Sequence, residues 1–408
     1  MKKLHYGWWI VLACCAITCC NGIIMQATVN FYGPVATELG VGIGKLTIYV
    51  TIMSLTMALL YPVVGNFLEK HLKPILLFGG VIQYVALALM GTFHSVYQFW
   101  FAGLLLGIGS SITMVMAVPI LVNMWFVEKR GLALGLAFSF NGIAAAVFSM
   151  VAGYGITLWG WRTAYFVLAI CGLITYIPAI LLLIKTPQQK GMQPYGAVAV
   201  SETVGEIRNT NNGMTLSQAL KHPAFYCMLL CAAVLAAASS EASQVSAFST
   251  GHFGLSVEAA AGVVAIYSIG NMIGNVIMGT IDDKIGHGKT LILAIGITIA
   301  VQAILLTITA GSVLLTPAVF VLGFVLTIYS VLLPGMASEI FGEKDYSRIW
   351  AYIMSAGSIC GAIIIPTYGT IFDKTGSYSG VFVLVAALSI ICIISGIAAL
   401  KLAKRHYN

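Results

Sequence analysis

Of the thirteen acidic residues in this 408-residue chain, twelve fall in polar loops or at the ends of apolar runs, and one does not. Glu241 lies inside a run, on a segment with Ser239, Ser240, Ser243, Gln244 and Ser246. An ionisable group within hydrocarbon is costly and marks a functional position by default. Desolvation disfavours its charged form, so Glu241 could carry a coupling proton, face a cationic substrate, or stand as a neutral or wet carboxyl near the outer mouth. Uncharged polar residues expected to converge on the midplane are Gln26 and Asn30 in the first run, Asn141 in the fifth, Asn271 and Asn275 in the eighth, and Tyr329 and Ser330 in the tenth. Amides and hydroxyls donate and accept hydrogen bonds without carrying charge. As a set these residues suit substrate binding, of a neutral polar solute, a protonated acid, or a carboxylate held without a salt bridge. Taken singly, each could equally tie one helix to another.

A second set of charges stands at run ends. Gly65, Glu69 and Lys70 follow the second run, Lys129 and Arg130 precede the fifth, and Gly279, Asp283 and Lys284 follow the eighth. Acids and bases so placed could pair in one conformation and separate in another, which is a gating role, or they only fix topology. Three glycine pairs at a spacing of four, Gly131 with Gly135, Gly270 with Gly274 and Gly357 with Gly361, let helix backbones approach closely. Such a surface could slide or be static. Cys15 with Cys19, and Met53 with Met57, are also four apart, where soft sulfur ligands could take up copper; Cys and Met are equally routine packing residues. All seven histidines lie near run ends or in loops. No catalytic constellation forms, so neither an enzyme nor a resident metal or cofactor is expected.

Holding these groups requires helices. The chain is 60% hydrophobic and 8% charged, where a soluble globular chain carries roughly 25% charged residues. Twelve apolar runs, the first at 7–33 and the last at 378–401, each approach the ~20 residues that cross a bilayer core. Within that core backbone polar groups must be satisfied internally, so the runs must be helices. The first contains Asn21, Gln26 and Asn30 and lacks a small-residue cleavage site, so it reads as a retained helix and not as a signal peptide. With both termini cytoplasmic, seventeen of the twenty Lys and Arg residues fall inside, and only Lys45, Arg162 and Lys374 fall outside. The formal charge of +7 is then topogenic, and no basic domain remains for nucleic acid. All nine cysteines lie in apolar runs, so no disulfide framework is expected.

The one long polar stretch, 185–218, divides the runs six and six: an N-terminal bundle at 1–184, a cytoplasmic linker, and a C-terminal bundle at 219–408. The halves repeat. Gly65, Glu69 and Lys70 match Gly279, Asp283 and Lys284 at an offset of 214, Phe126, Glu128 and Lys129 match Phe341, Glu343 and Lys344 at 215, and Gly153 with Gly160 match Gly369 with Gly376 at 216. Three matches at nearly one offset indicate a duplication. The fold expected is an all-α polytopic membrane protein, with twelve transmembrane helices in two pseudo-symmetric six-helix bundles.

Over its whole length the chain resembles a major facilitator superfamily transporter. Gly65, Glu69, Lys70 and Lys73 resemble that family's signature between helices two and three, with Glu69 at the usual Asp position and Leu72 where Gly is common; Gly279, Asp283, Lys284 and Gly286 match its second copy better. Tyr6, Gly7, Trp8 and Trp9, then Asn123, Trp125, Phe126 and Lys129 to Ala133 with Gly135, and Ile340 with Phe341, look like the oxalate/formate antiporter and monocarboxylate transporter branch. The resemblance implies two bundles rocking about a central site, with helices five and eight, and two and eleven, meeting between them. It implies secondary transport of a small organic acid, by symport or antiport, in a monomer resident in a bacterial plasma membrane. It also predicts a cation in helix eight and, in the oxalate branch, a lysine in helix eleven. Those positions hold Asn275 and Met354, and the aromatic positions of helices five and ten hold Asn141, Leu326 and Ser330, with Tyr329 adjacent. An exchanger built on two fixed cations is therefore not supported, and a multidrug or neutral-solute transporter of the same fold remains the alternative.

Overall fold

In the computed structural model, residues 5–25, 27–68, 71–114, 116–197, 213–308 and 312–407 are described. Among them, eleven helices are long and apolar enough to cross a membrane. One, Arg130–Leu183, has 54 residues, more than any bilayer needs, and is broken at Gly160, whose φ of 76° no helix accommodates. That break makes two spans of one and brings the number to twelve. The spans are α1 (Gly7–Glu38), α2 (Ile43–Phe67), α3 (Leu72–Met90), α4 (Val96–Trp125), α5 (130–159), α6 (161–183), α7 (Pro223–Gly251), α8 (Val257–Ile285), α9 (His287–Thr307), α10 (Leu315–Phe341), α11 (Tyr346–Thr375) and α12 (Ser379–Tyr407).

The chain forms two compact units. One comprises Met1–Val127 with Phe140–Val200, the other Glu128–Ser139 with Ser201–Asn408. The residues that open α5 thus pack within the second unit.

In the first unit, glycines bring α4 against its neighbours. A Cβ at Gly107 would sit 2.8 Å from the Met53 carbonyl of α2, and one at Gly109 would sit 2.6 Å from the Gln83 Cβ of α3. α3 and α6 interlock through two tyrosines, with the Tyr176 ring over Gly80 and the Tyr84 ring over Gly172. The Tyr176 hydroxyl donates to the Leu76 carbonyl at 2.9 Å. At one end of this unit the branch-signature aromatics pack on each other. The Trp8 and Phe126 ring centroids are 5.3 Å apart, those of Tyr6 and Trp125 are 5.2 Å apart, and the Trp125 indole donates to the Lys185 carbonyl at 2.8 Å.

The second unit repeats the plan with α8 and α10 in closest approach. Gly270 meets the Phe320 backbone, Gly274 meets the Phe324 ring, and Gly323 meets Tyr267 and Asn271. The Gly270/Gly274 pair therefore joins α8 to α10, whereas Gly131 meets Gly279 and Gly135 meets Asn275, bringing the start of α5 onto α8 within this unit. Gly376 ends α11 with a φ of 67°, as Gly160 ends α5. Gly160 and Gly376, matched at an offset of 216, share a positive φ, which strains L side chains, although ψ is 160° at the first and 11° at the second.

Another feature recurs. α1 is interrupted by a 3₁₀ turn at Ala27–Phe31 and α7 by one at Ser240–Gln244, at nearly the repeat offset. Glu241 sits on the second of these turns.

Replacing Gly172 by Val, against the Tyr84 ring, is expected to destabilise the first unit by about 1–3 kcal/mol through overpacking. A thermal-unfolding midpoint in detergent that matches wild type would contradict this packing.

Candidate substrate and coupling site

The centre of the second unit holds a chain of uncharged polar groups. The Asn271 amide of α8 donates to the Gly323 carbonyl of α10 at 3.1 Å, the Asn275 amide donates to Asn271 Oδ1 at 3.3 Å, and the Ser330 hydroxyl donates to Asn275 Oδ1 at 3.0 Å. Asn271 and Asn275 are buried, Tyr329 and Ser330 half-buried. The Tyr329 hydroxyl lies beside Gly357 of α11, 3.0 Å from where a Cβ would be. Four of the seven binding candidates are thus brought to one region, three of them in one hydrogen-bonded run.

In the first unit Asn141 of α5 faces α1, where a Cβ at Gly22 would fall 3.0 Å from Asn141 Oδ1. That buried oxygen accepts no hydrogen bond among the described residues. Asn30 is exposed, and its amide donates to the Ala27 carbonyl at 3.2 Å and the Ser149 carbonyl at 3.4 Å, so it fastens the α1 turn to α5. Gln26 lies outside the described residues.

Glu241 is 2% exposed and, among the described residues, has one hydrogen-bond partner: the Gln302 amide of α9 donates to Glu241 Oε2 at 2.6 Å. Neighbours along both helices, Ala238 and Val245 on α7 and Val301 and Leu305 on α9, belong to one buried apolar cluster. Among the described residues, Glu241 Oε1 and Gln302 Oε1 are buried acceptors without a donor, and the Ser239 hydroxyl is likewise without a partner. A carboxylate leaves both oxygens unsatisfied, which is costly. A single proton on Glu241 Oε1 turns one of the two acceptors into a donor. The carboxyl group is enclosed by protein.

Nothing in the sequence marks Gln302, an uncharged amide within the apolar run of α9, as the partner of Glu241. The same holds for a buried triad in the first unit. There the Asn21 amide of α1 donates to the Thr113 carbonyl at 3.0 Å, and the Thr113 hydroxyl lies 3.0 Å from Asn21 Oδ1 and 2.9 Å from Gln83 Oε1. Each unit therefore links its first and third helices through a buried carboxamide.

At the end of α8 the expected acid–base pairing takes another form. Asp283 accepts from the backbone N–H groups of Gly131 and Leu132, both at 2.8 Å, so its partner is the N-terminus of α5 and its dipole, not a side-chain base. Arg130 instead pairs with Glu343 and donates to the Ser338 hydroxyl at 2.8 Å. Lys129 and Lys284 are exposed, Lys129 with a φ of 59° that is unusual for a residue with a side chain, and Gly279 is the buried contact for Gly131. Gly65 is buried in α2, while Glu69 and Lys70 lie outside the described residues. Asp282, only 3% exposed, binds the ring of His287 at 2.8 Å. Where the first copy of the turn has Leu72 in place of glycine, α3 starts from His71 at φ −130°, whereas Gly286 takes φ 81°.

An all-helical membrane protein of twelve spans, repeated by halves and with uncharged polar groups buried in mid-helix, has the build of a membrane transporter. The chain belongs to the Major Facilitator Superfamily, whose pattern matches residues 14–363 and again 229–407. It is 27% identical to the oxalate:formate antiporter of Oxalobacter formigenes over 378 residues, covering 89% of this chain and 86% of that one. It is 22% identical to monocarboxylate transporter 12 of Xenopus laevis over 411 residues, covering 96% and 88%. The crystal structure of the Escherichia coli fucose:proton symporter superposes with a TM-score of 0.70 at 13% identity, covering 97% of this chain and 99% of that one. The protein is thus a transporter-family membrane protein and not an enzyme.

Removing the charge pair by Arg130→Gln, Glu343→Gln and both together is expected to give a coupling of about 0.5–1 kcal/mol, since both side chains are partly shielded. Additive losses in thermal stability would mean the two do not act together.

Proposed function

We propose that this protein is a secondary active transporter of a small organic solute, a small carboxylate above all, working by alternating access and coupled to a proton carried on Glu241. The observation that carries the coupling is the Glu241–Gln302 pair: an isolated buried carboxyl group whose free oxygen, and that of its amide partner, call for one proton between them. Protonated, it is neutral and compatible with its apolar surroundings; losing the proton leaves a charge that only access to water relieves.

The small-carboxylate reading is supported by relatives whose names include oxalate, formate and monocarboxylate. The Asn271–Asn275–Ser330 run supplies donors for a carboxylate or carboxylic acid, with Tyr329 beside it and Gln26, Asn30 and Asn141 as the first-bundle counterpart. Because the run has no cation, a protonated acid crosses as a neutral species together with its own proton, or the anion crosses with the proton on Glu241. A neutral polar solute is the second reading, favoured by the same lack of charge. The bundles at 1–184 and 219–408 would be the moving bodies, with the Asp283 contact at the α5 N-terminus and the Arg130–Glu343 pair as gating contacts. The protein would act as a monomer in a bacterial plasma membrane with both termini cytoplasmic.

Counterflow in proteoliposomes against a panel of small acids, sugars, amino acids and amines tests the substrate. Competition by small carboxylates is expected, and competition only by bulky hydrophobic cations would overturn the reading in favour of drug efflux. For the coupling, wild-type uptake is expected to rise as the external pH falls, and Glu241→Gln, which keeps the shape and is permanently neutral, to lose that dependence. An unchanged pH profile in Glu241→Gln would remove the proton from Glu241.

A further inference from the structure

A cavity of about 310 Å³ opens in the second unit where the ends of α8, α9, α10 and α12 meet. Its polar wall is the start of α9, from Gly286 to Lys289, with Lys401 of α12 across from it. Ile292, Ile397 and Leu400 form its apolar wall. We propose that this cavity binds the headgroup of an anionic phospholipid, with Lys289 and Lys401 on the phosphate and the acyl chains running down the isoleucine-lined side.

Charge complementarity selects the occupant. Lys289 and Lys401 are exposed, and among the described residues neither makes an ion pair. The acid lining the cavity, Glu339, lies 3.9 Å from Nε2 of His287, and the same ring is held from its other side by buried Asp282 at 2.8 Å. The acidic side chains thus gather around one imidazole, while the two lysines remain available. The first turn of α9, a 21-residue helix, adds a dipole end that favours an anion.

The apolar wall separates a lipid from a soluble anion. Ile285 and Ile292, which line the cavity, are 42% and 50% exposed, so its apolar side continues onto a face that lipid tails would cover. A free phosphate has no use for that side. Lysine charges at a helix end above an apolar face are the arrangement that attracts acidic lipids at the cytoplasmic leaflet, the side that the distribution of Lys and Arg assigns to this end. The proposal is independent of what the protein transports.

Native mass spectrometry of the full-length protein in detergent, titrated with dioleoyl-phosphatidylglycerol, provides the test. Phosphatidylglycerol is expected to bind wild type and to bind the Lys289→Gln/Lys401→Gln variant about twenty- to thirtyfold more weakly, the attraction of two lysines. Lys374→Gln, which removes an exposed lysine at the end of α11, should bind as wild type does. Ile292→Ser should weaken the lipid as well. Equal binding by the double variant, an equal loss in Lys374→Gln, equal binding of phosphatidylcholine, or retention of inorganic phosphate in place of the lipid would each overturn the proposal.

Discussion

Helices in hydrocarbon gain nothing by hiding apolar surface from water, so the assembly of this protein depends on how closely their backbones can touch. Glycine decides where that happens. Gly103, Gly107 and Gly109 set α4 against α2 and α3, Gly270, Gly274 and Gly323 do the same for α8 and α10, and Gly131 with Gly279 brings the start of α5 onto α8. At these crossings a single methyl group would meet backbone or ring atoms, so the positions of all other side chains, including the polar ones, follow from where the glycines fall.

Close packing sets the polar groups at the centre of each unit against one another, and Gln83 Nε2, Glu241 Oε1 and Gln302 Oε1 still have no partner among the described residues. The first unit does this with neutral partners, Asn21, Thr113 and Gln83. The second does it with Asn271, Asn275 and Ser330 on one side and Glu241 with Gln302 on the other. Glu241 is where the second unit departs from neutrality. On the repeat offset of 213 between the two 3₁₀ turns, its counterpart is Thr28, whose hydroxyl bonds back to the Ile24 carbonyl at 2.6 Å. One turn in the pair therefore bears a group that can exist in two charge states, and the other bears a group with one.

Much of this was readable beforehand, for identifiable reasons. Twelve spans follow from apolar length alone, and the repeat was visible because Gly160 and Gly376 serve a backbone angle that other residues resist. Asp283 was recognisable as important, but its partner was not, since a helix N-terminus exposes N–H groups that no residue letter records. Arg130 was recognisable as a base that could pair with an acid, but its partner Glu343, far away in sequence, was not. Gln302 escaped because a glutamine in an apolar run is unremarkable until the chain folds a carboxyl group against it. The bonds of Asn30 to the Ala27 and Ser149 carbonyls were equally hidden, since both acceptors are backbone groups.

The 3₁₀ turn in α7 has an angular consequence. Five residues wound at three per turn rotate the chain by about 600°, against about 500° in an α-helix, and lengthen it by about 2.5 Å. Everything beyond Gln244 is thus swung by roughly a quarter of a revolution from the azimuth that an unbroken helix would have given it. Ser239 and Ser246, on either side of the turn, are therefore not related as they would be on an unbroken helix. Glu241, on the turn itself, reaches Gln302 of α9, while Gln244, three residues on, accepts from the Tyr378 hydroxyl at 3.2 Å at the opposite end of the α11–α12 connection. A periodicity argument carried through such a turn assigns residues to the wrong compass bearing, and α1, interrupted at the corresponding level, carries the same correction.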